Sequence, residues 1–437
     1  MRLSRLMAVP VAASLILAAC GDDDDEGADD TDAGEEELSG TVTVFSAMEP
    51  EEVDALNVAL EEHVLPEVDY SVDNEGSGDF VEQFQIRLEG GNPPDIALHP
   101  QPGTVQEVAA SGEAIALEDL GFDIAELEET FGEHLLSLGE FEGKHYGLPT
   151  NVNLKSMIWY NKPAFDEAGY EIPDTWDDLL ALSDQIVADG KAPWCVGFED
   201  GAASGWPATD WMEDIMLRTA GTDVYDQWWQ HEIPFDSPEV INAAEVMGEI
   251  MFAEGYVLGG AEQTVALAFG EAPTPMFGDD PSCLMHRQAS FIPAFFPEDA
   301  EAGVDYDWFP FPPIDEEGIL FAGELAMVFR DDPAVIDFLE RFASEEVQCA
   351  QGAEVATSRI SPNVNVGPDC YANDLLADSA EVLTQAISEG TGRFDASDLM
   401  PASVGAGSFW TAMLEYMQGG PDVLEDAFAS VESDWPS

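Results

Sequence analysis

The chain has 437 residues, 45% of them hydrophobic, enough for a sizeable core and a natural expectation of two or three domains. It carries 90 Asp plus Glu against 13 Lys plus Arg, a formal net charge of −77, and a field of that sign repels nucleic acid and anionic lipid, so neither is expected as a partner. The acids are spread through ordinary α/β patterns. We read them as a solvated surface suited to a saline medium, so no Asp or Glu claims a role by its type alone.

The chain opens with Arg2 and Arg5, followed by an apolar run over 6–19 broken only by Pro10 and Ser14, and then Leu17-Ala18-Ala19-Cys20-Gly21. A charged start, a short apolar stretch and small residues before the cut mark a secretory signal over 1–19. The apolar stretch is shorter than the roughly 20 residues a helix needs to span a bilayer. Its ending resembles the bacterial lipobox, which implies cleavage before Cys20 and acylation of that residue. The expected location is therefore extracytoplasmic, anchored to the cell membrane by lipid. Residues 20–39 are dense in acids and free of aromatics, which predicts a disordered, self-repelling tether.

Order is expected from Gly40. The β-branched run Thr41-Val42-Thr43-Val44-Phe45 predicts a strand. Helical spacing runs over 51–65 (Val53, Leu56, Leu60, Val64) and over 80–88 (Phe80, Val81, Phe84, Leu88). Asp95-Ile96-Ala97-Leu98 predicts a short strand after the Pro93-Pro94 break. Alternating strands and helices point to a parallel sheet covered by helices. A second set comes next: a helix over 176–187, a strand over 194–198 and a helix over 210–219. Residues 299–318 are rich in Pro and Glu and end a segment. A strand over 323–329, a helix over 333–343 and an apolar helical stripe over 409–428 complete the pattern.

With Cys20 set aside, Cys195, Cys283, Cys349 and Cys370 remain. An even set in an exported protein suggests two disulfides, with three possible connectivities. Loop closure favours short separations, so Cys195–Cys283 and Cys349–Cys370 are the expected pairs. Cys283 and His286 have no second ligand pair at zinc spacing, so no metal is expected. No nucleophile elbow, zinc-protease helix, dinucleotide fingerprint or phosphate loop is present. No cofactor is expected.

Several segments together resemble the extracellular solute-binding proteins of carbohydrate ABC importers, particularly the α-glucoside and maltose-type binders. They are Gly90-Gly91-Asn92-Pro93-Pro94-Asp95-Ile96; Gly143-Lys144-His145-Tyr146-Gly147-Leu148-Pro149; Trp159-Tyr160-Asn161-Lys162-Pro163-Ala164-Phe165 with the helix start Pro173-Asp174-Thr175-Trp176; and Gly407-Ser408-Phe409-Trp410. The stretch over 197–214 is most similar to the α-glucoside branch. Where maltose binders often carry Gly-Pro-Trp, this chain reads Gly278-Asp279-Asp280-Pro281-Ser282-Cys283, which leaves that aromatic subsite and the length of glycan open.

The resemblance implies an α/β, two-lobed, periplasmic-binding-protein-like fold with a hinge and a central ligand cleft. Lobe 1 is expected to be 40–150 plus 315–365, and lobe 2 151–314 plus 366–437. In open α/β sheets ligands lie beyond the carboxyl ends of strands. A sugar needs flat apolar faces for its C–H surface and fixed polar groups for its hydroxyls. On that basis the candidate ligand residues are Glu49, Asp79, Gln101, Trp206, Asp210, Gln288, Glu324 and Trp410. Each has a plainer alternative: helix-terminal acid or cap for Glu49 and Asp79, packed core for Trp206. Lys155, near the hinge, reads first as a salt-bridge residue.

The expected function is that of a monomeric, lipid-anchored, non-enzymatic binder that captures an α-glucoside or malto-oligosaccharide and delivers it to the ABC permease. Two alternatives stand beside it: a compatible-solute binder holding a betaine-type cation in an aromatic cage, and a secreted glycoside hydrolase using two carboxylates.

The charge generates a first prediction. The Debye length falls to ~3 Å at 1 M salt, so self-repulsion should be progressively relieved. The melting temperature should rise from low to molar salt. A flat melting temperature across that range would contradict the saline reading.

Overall fold

The computed structural model describes residues 38–354 and 358–436. The expected signal peptide, Cys20 and nearly all of the tether lie outside the described residues. The strands in chain order are β1 (Ser39–Ser46), β2 (Asp69–Gly76), β3 (Ile96–His99), β4 (Glu140–Phe141), β5 (Lys144–His145), β6 (Leu148–Leu154), β7 (Met157–Asn161), β8 (Ala192–Trp194), β9 (Cys283–Arg287), β10 (Tyr306–Pro310), β11 (Ile319–Val328) and β12 (Gly392–Phe394). Two main sheets result. A six-stranded sheet runs β12-β11-β3-β1-β2 with β6 also on β11, and a four-stranded sheet runs β10-β7-β9-β8.

In the first sheet β1 lies between β2 and β3 and is parallel to both, while β11 is antiparallel to β3 and β6. The short helix-covered strands predicted around 41–45 and 95–98 are these central elements. Strand β2 carries no apolar run, and no strand is predicted there from the sequence. Its residues Asp73 and Glu75 face solvent on an edge, where charged side chains keep the strand from pairing with another chain.

The chain passes into the second sheet between β6 and β7, through Lys155 and Ser156. Strand β10 sits inside the Pro- and Glu-rich stretch taken as a segment end. It is the outer strand of its sheet and pairs antiparallel with β7, a place where Pro310 is tolerated. The strand predicted at 194–198 is shorter and earlier, ending at Trp194. The helix predicted at 210–219 runs instead from Trp206 to Trp229, with a non-helical break at Gly221 (φ 79°). The helix Trp176–Ala188 starts where the Pro-Asp-Thr-Trp signal placed it, Thr175 accepting from the Asp178 N–H at 3.2 Å.

The expected assignment of all of 366–437 to the second lobe does not match the strand pairing. Strand β12 lies parallel to β11 in the first sheet. The chain then leaves that sheet, and Val404, Phe409, Met413, Tyr416, Phe428 and Val431 pack into the second sheet's core with Trp228 and Phe235. The short polar β12 carries no periodic signal of its own, and only its pairing with β11 places it.

Both expected disulfides are present. Cys195–Cys283 (Cα–Cα 5.4 Å) ties the chain after β8 to the start of β9, and Cys349–Cys370 (4.8 Å) ties the helix Glu345–Ala353 to the turn Pro368–Cys370. The sequence separations are 88 and 21. Loop-closure entropy gives the longer one an advantage of about 1 kcal/mol. Both of its sulfurs are also in the core, so replacing that pair by Ala leaves a void. The double variant Cys195→Ala/Cys283→Ala should therefore lower the urea midpoint more than Cys349→Ala/Cys370→Ala. The reverse order would contradict this account.

Candidate functional site

The parallel strands of the first sheet end side by side, and the residues just beyond those ends converge on one cavity of about 180 Å³. Met48 and Glu49 come after β1, Gly78 after β2, and Gln101 after β3. Strand β6 adds Asn151 and Asn153, with Lys155 just beyond it. Strand β11 adds Gly323 and Glu324. From the second sheet come Asp200, Trp206 and Asp210 after β8, and Phe291 and Phe295 after β9. Asp395, Ser397 and Asp398 come after β12, and Trp410 opens the helix Trp410–Gly419. This is the geometry in which open α/β sheets hold ligands.

Of the eight candidates read from the sequence, Glu49, Gln101, Trp206, Asp210, Glu324 and Trp410 line this cavity. Asp79 does not. It is exposed beside Gly201, and its position at the N-terminus of the helix Phe80–Glu89 fits the plainer alternative, although its carboxylate makes no cap bond. Gln288 does not either. It is buried, its Oε1 accepts the Ala289 N–H at 2.8 Å, and its carbonyl accepts from the Trp159 indole. A side chain directly after a strand has two faces to choose from, and sequence order alone does not say which.

One wall of the cavity is aromatic. Trp206 meets Phe269 edge-on at 5.1 Å between centroids and Phe291 at 6.1 Å, and Phe269 meets Phe295 at 5.1 Å. The Trp206 indole donates to Asp200 Oδ2 at 2.7 Å, which fixes the ring. Gly205, at φ 112°, lets the start of this helix close onto Trp410; a Cβ there would stand 2.6 Å from the Trp410 carbonyl. The three Phe residues escaped the sequence reading because scattered aromatics most often pack in cores.

A second part of the lining is polar. Glu324 pairs with Asn151 across the β6–β11 ladder, at a bulge, and bulges commonly re-aim side chains at sites. Gly323 permits the close approach, since a Cβ there would lie 2.4 Å from the Asn151 carbonyl. Glu49 opens the helix Pro50–His63, and its N–H donates to Glu52 Oε2 at 3.0 Å. Desolvation, then the neighbouring Glu324 and Glu49, push the Glu52 carboxyl up to about 7 against the opposing pull of its backbone bond. Burial likewise lifts Asp200 to about 6, against the Trp206 hydrogen bond.

A third part is a buried ionic floor. Lys155 Nζ pairs with Asp210 Oδ1 at 2.8 Å and with Asp395 Oδ2. Burial alone would lower the Lys155 pKa, but the Asp210 and Asp395 carboxylates raise it above the ordinary range. Burial drives Asp210 up to about 6 in spite of Lys155, while Lys155 holds Asp395 below the usual carboxylate range. Arg287 reaches Asp210 at 3.2 Å and Asp214 at 3.1 Å, and Arg218 pairs with Asp214. Asp210, Glu213 and Asp395 lie close enough to share a cation, and the Lys155 ammonium already pairs with two of the three. The salt-bridge reading of Lys155 holds.

The family model for bacterial extracellular solute-binding proteins matches residues 50–348. The chain is 37% identical over 410 residues to the alpha-glucosides-binding periplasmic protein AglE of Rhizobium meliloti, covering 91% of this chain and 87% of that protein. It is 39% identical over 370 residues to the osmoprotective compounds-binding protein GgtB of Synechocystis sp., covering 83% and 85%. Among solved structures it superposes on the bacterial solute receptor AcbH with TM-score 0.74 at 20% identity, covering 90% and 98%, and on maltose-bound MalE3 of T. maritima with TM-score 0.70 at 15%, covering 90% and 98%. These last likenesses establish a two-lobed fold.

The floor and walls generate two predictions. Lys155→Ala leaves Asp395 buried without its cation and Asp210 with Arg287 alone. Loss of one partner of a buried pair costs ~3–5 kcal/mol, which denaturant unfolding would read directly; a change within error would sink the account. The second concerns pH. Glu52, Asp200 and Asp210 bind protons more tightly folded than unfolded, so their contribution to stability falls as pH rises from about 4 to 7, while His99 and His286, which burial pushes down to about 3 and 4, contribute in the opposite sense below about 6.5. Asp395 acts oppositely and loses its contribution only as the pH drops below about 4. Without ligand, Glu52→Gln should lose less stability than the wild type, or gain more, as the pH goes from 5 to 8, and equal changes of urea midpoint in the two proteins would contradict this account.

Proposed function

We propose, from the premise that this chain belongs to the bacterial extracellular solute-binding proteins and is the solute-binding component of an ABC importer, that it captures an α-glucoside or malto-oligosaccharide for the membrane permease. The observation that carries the reading is that a half-buried aromatic wall around Trp206 and a set of carboxylate, carboxamide and guanidinium groups line one cavity. A pyranose ring offers complementary surfaces: C–H groups on its faces and hydroxyls at its edge. The alpha-glucosides-binding relative supports the choice of sugar.

Trp206 and Trp410 supply apolar faces, and Glu49, Gln101 and Glu324 accept from hydroxyls. Asp210 holds Lys155 at the floor. Binding joins residues that come after strands of both sheets, so ligand shifts the open–closed balance by its differential affinity for the closed form. We further propose that the protein acts as a monomer, outside the cytoplasm, on a lipid at Cys20, and performs no covalent chemistry. Among the described residues no helix is long and apolar enough to cross a membrane.

The osmoprotectant-binding relative favours a second reading, a compatible solute. A betaine-type cation needs rings standing apart on opposite sides of it. Here Trp206, Phe269 and Phe295 pack edge to face, with neighbouring centroids 5.1 Å apart, and form one continuous wall. That geometry favours a hydroxylated solute over a quaternary ammonium.

Calorimetric titration in high salt with maltose, trehalose, sucrose, maltotriose and glycine betaine tests the reading, with product analysis to detect hydrolysis. A sugar should bind intact. Betaine binding alone, or sugar cleavage, would overturn it. Trp206→Ala should weaken sugar binding by tenfold or more with little change in melting temperature, since a stacked ring face is worth a few kcal/mol at ~25 cal/mol per Å². A large loss of stability with unchanged affinity would instead make Trp206 a core residue.

A further inference from the structure

Arg359 is one of few cations in this chain, and neither its neighbours in sequence nor its spacing singles it out. The structure places its side chain in the cavity lining, 6% exposed. One terminal nitrogen bonds Glu324 Oε2 at 2.5 Å, while Nε has no partner. The backbone beside it is fixed: the Val152 N–H donates to the Ile360 carbonyl at 3.0 Å, tying this segment to β6. Ser358 sits at φ 44°, a conformation that a side chain adopts only when its surroundings enforce it.

Asn151, the residue before Val152 on β6 and the ladder partner of Glu324, is 5% exposed, lines the same cavity, and has an unpaired Oδ1. Trp410, 6% exposed, adds an unpaired indole Nε1 to the lining. Buried polar groups are nearly always hydrogen-bonded. Here the Glu324 carboxylate holds Arg359, whose Nε is a donor, and the backbone of Glu324 pairs with Asn151, whose Oδ1 is an acceptor. Neighbouring hydroxyls on a sugar each donate and accept, and this triad offers both functions on β6, β11 and the segment bridged to β6 at Ile360. The carboxylates of Glu49, Glu52 and Glu324 around one guanidinium leave no net positive charge for an anionic ligand.

We propose that Arg359, held by Glu324 and flanked by Asn151, is a specificity-determining residue that reads a vicinal diol of an uncharged glycoside. The proposal rests on the sugar-binding reading above. Glu324 thereby acts in two ways, as an acceptor and as the group that aims the guanidinium.

The test uses the full chain and its Arg359→Met, Arg359→Lys and Glu324→Gln variants. Each is titrated with maltose, trehalose and sucrose, and with deoxyglucosyl analogues of whichever binds. Arg359→Met should bind at least tenfold more weakly, with Arg359→Lys intermediate, because an ammonium donates without the planar geometry. One or two deoxy analogues should bind the wild type at least tenfold more weakly than the parent sugar, yet bind Arg359→Met no worse than the parent does. Unchanged affinity in Arg359→Met, or an equal loss for every analogue, overturns the assignment while leaving the sugar reading intact. Failure of the wild type to bind any of the three sugars or maltotriose overturns the sugar reading and this assignment with it. Should Arg359→Met not fold, the same comparison of analogues is made with Arg359→Lys.

Discussion

Lys155 holds the two sheets and the cavity to one another. It stands at the crossing from β6 to β7, and its ammonium meets Asp210, on the helix Trp206–Trp229, and Asp395, directly after β12. Three distant parts of the chain thus converge on one charge. The first half of that helix is buried all round, Pro207 to Arg218, although it carries Asp210, Glu213, Asp214 and Arg218. Such a helix can enter the interior only if its carboxylates are met there. Lys155, Arg287 and Arg218 meet two of them, and Glu213 accepts the N–H groups of Ala396 and Ser397 at 3.2 and 3.0 Å. A buried ion pair adds little net stability over apolar packing, but losing one partner is costly, so such networks fix register more than they add strength. Here register means the angle at which Trp206 and Trp410 are presented.

The allocation of cations arises from the same constraint. Every Lys and Arg among the described residues is in an ion pair with Asp or Glu, and Lys155, Arg218, Arg287 and Arg359 are buried. With 90 acids against 13 bases, most carboxylates have no basic partner, yet four of the eleven described cations are placed inside. A solvated carboxylate costs the fold only long-range repulsion, which salt screens. A buried one costs desolvation, which salt does not reach.

Much of the architecture was legible because it is local. The alternation at Thr41 to Phe45, the Thr175-Trp176 helix start and the four cysteines each carry their own signal. Strands β2, β10 and β12 do not. They form because a neighbour offers a ladder, and their residues read as loop. The cavity divides the same way. Glu49, Gln101, Trp206 and Trp410 come after strands or open helices, which sequence order reveals. Phe269, Phe291, Phe295, Asn151 and Arg359 reach the cavity only through tertiary closure. Gln288 is the converse case. It stands just past a strand end as Gln101 does, yet it turns into its own backbone.

The site and the surface place opposite demands on charge, and an uncharged ligand reconciles them. In a molecule of net charge −77, an anion would approach against a repulsion that varies with salt. A cation would be drawn to the many acids elsewhere in the molecule as well as to the site. A neutral polyol feels neither effect. On the proposed reading its affinity comes from apolar contact with the Trp206 wall and from hydrogen bonds to groups already fixed by their own partners, as Asp200 fixes the Trp206 indole and Glu324 fixes Arg359. Those bonds lie in a partly enclosed cavity where bulk salt screens little, and their donors and acceptors need little reordering on binding. Capture can then proceed across a range of ionic strengths over which the exterior's electrostatics change completely.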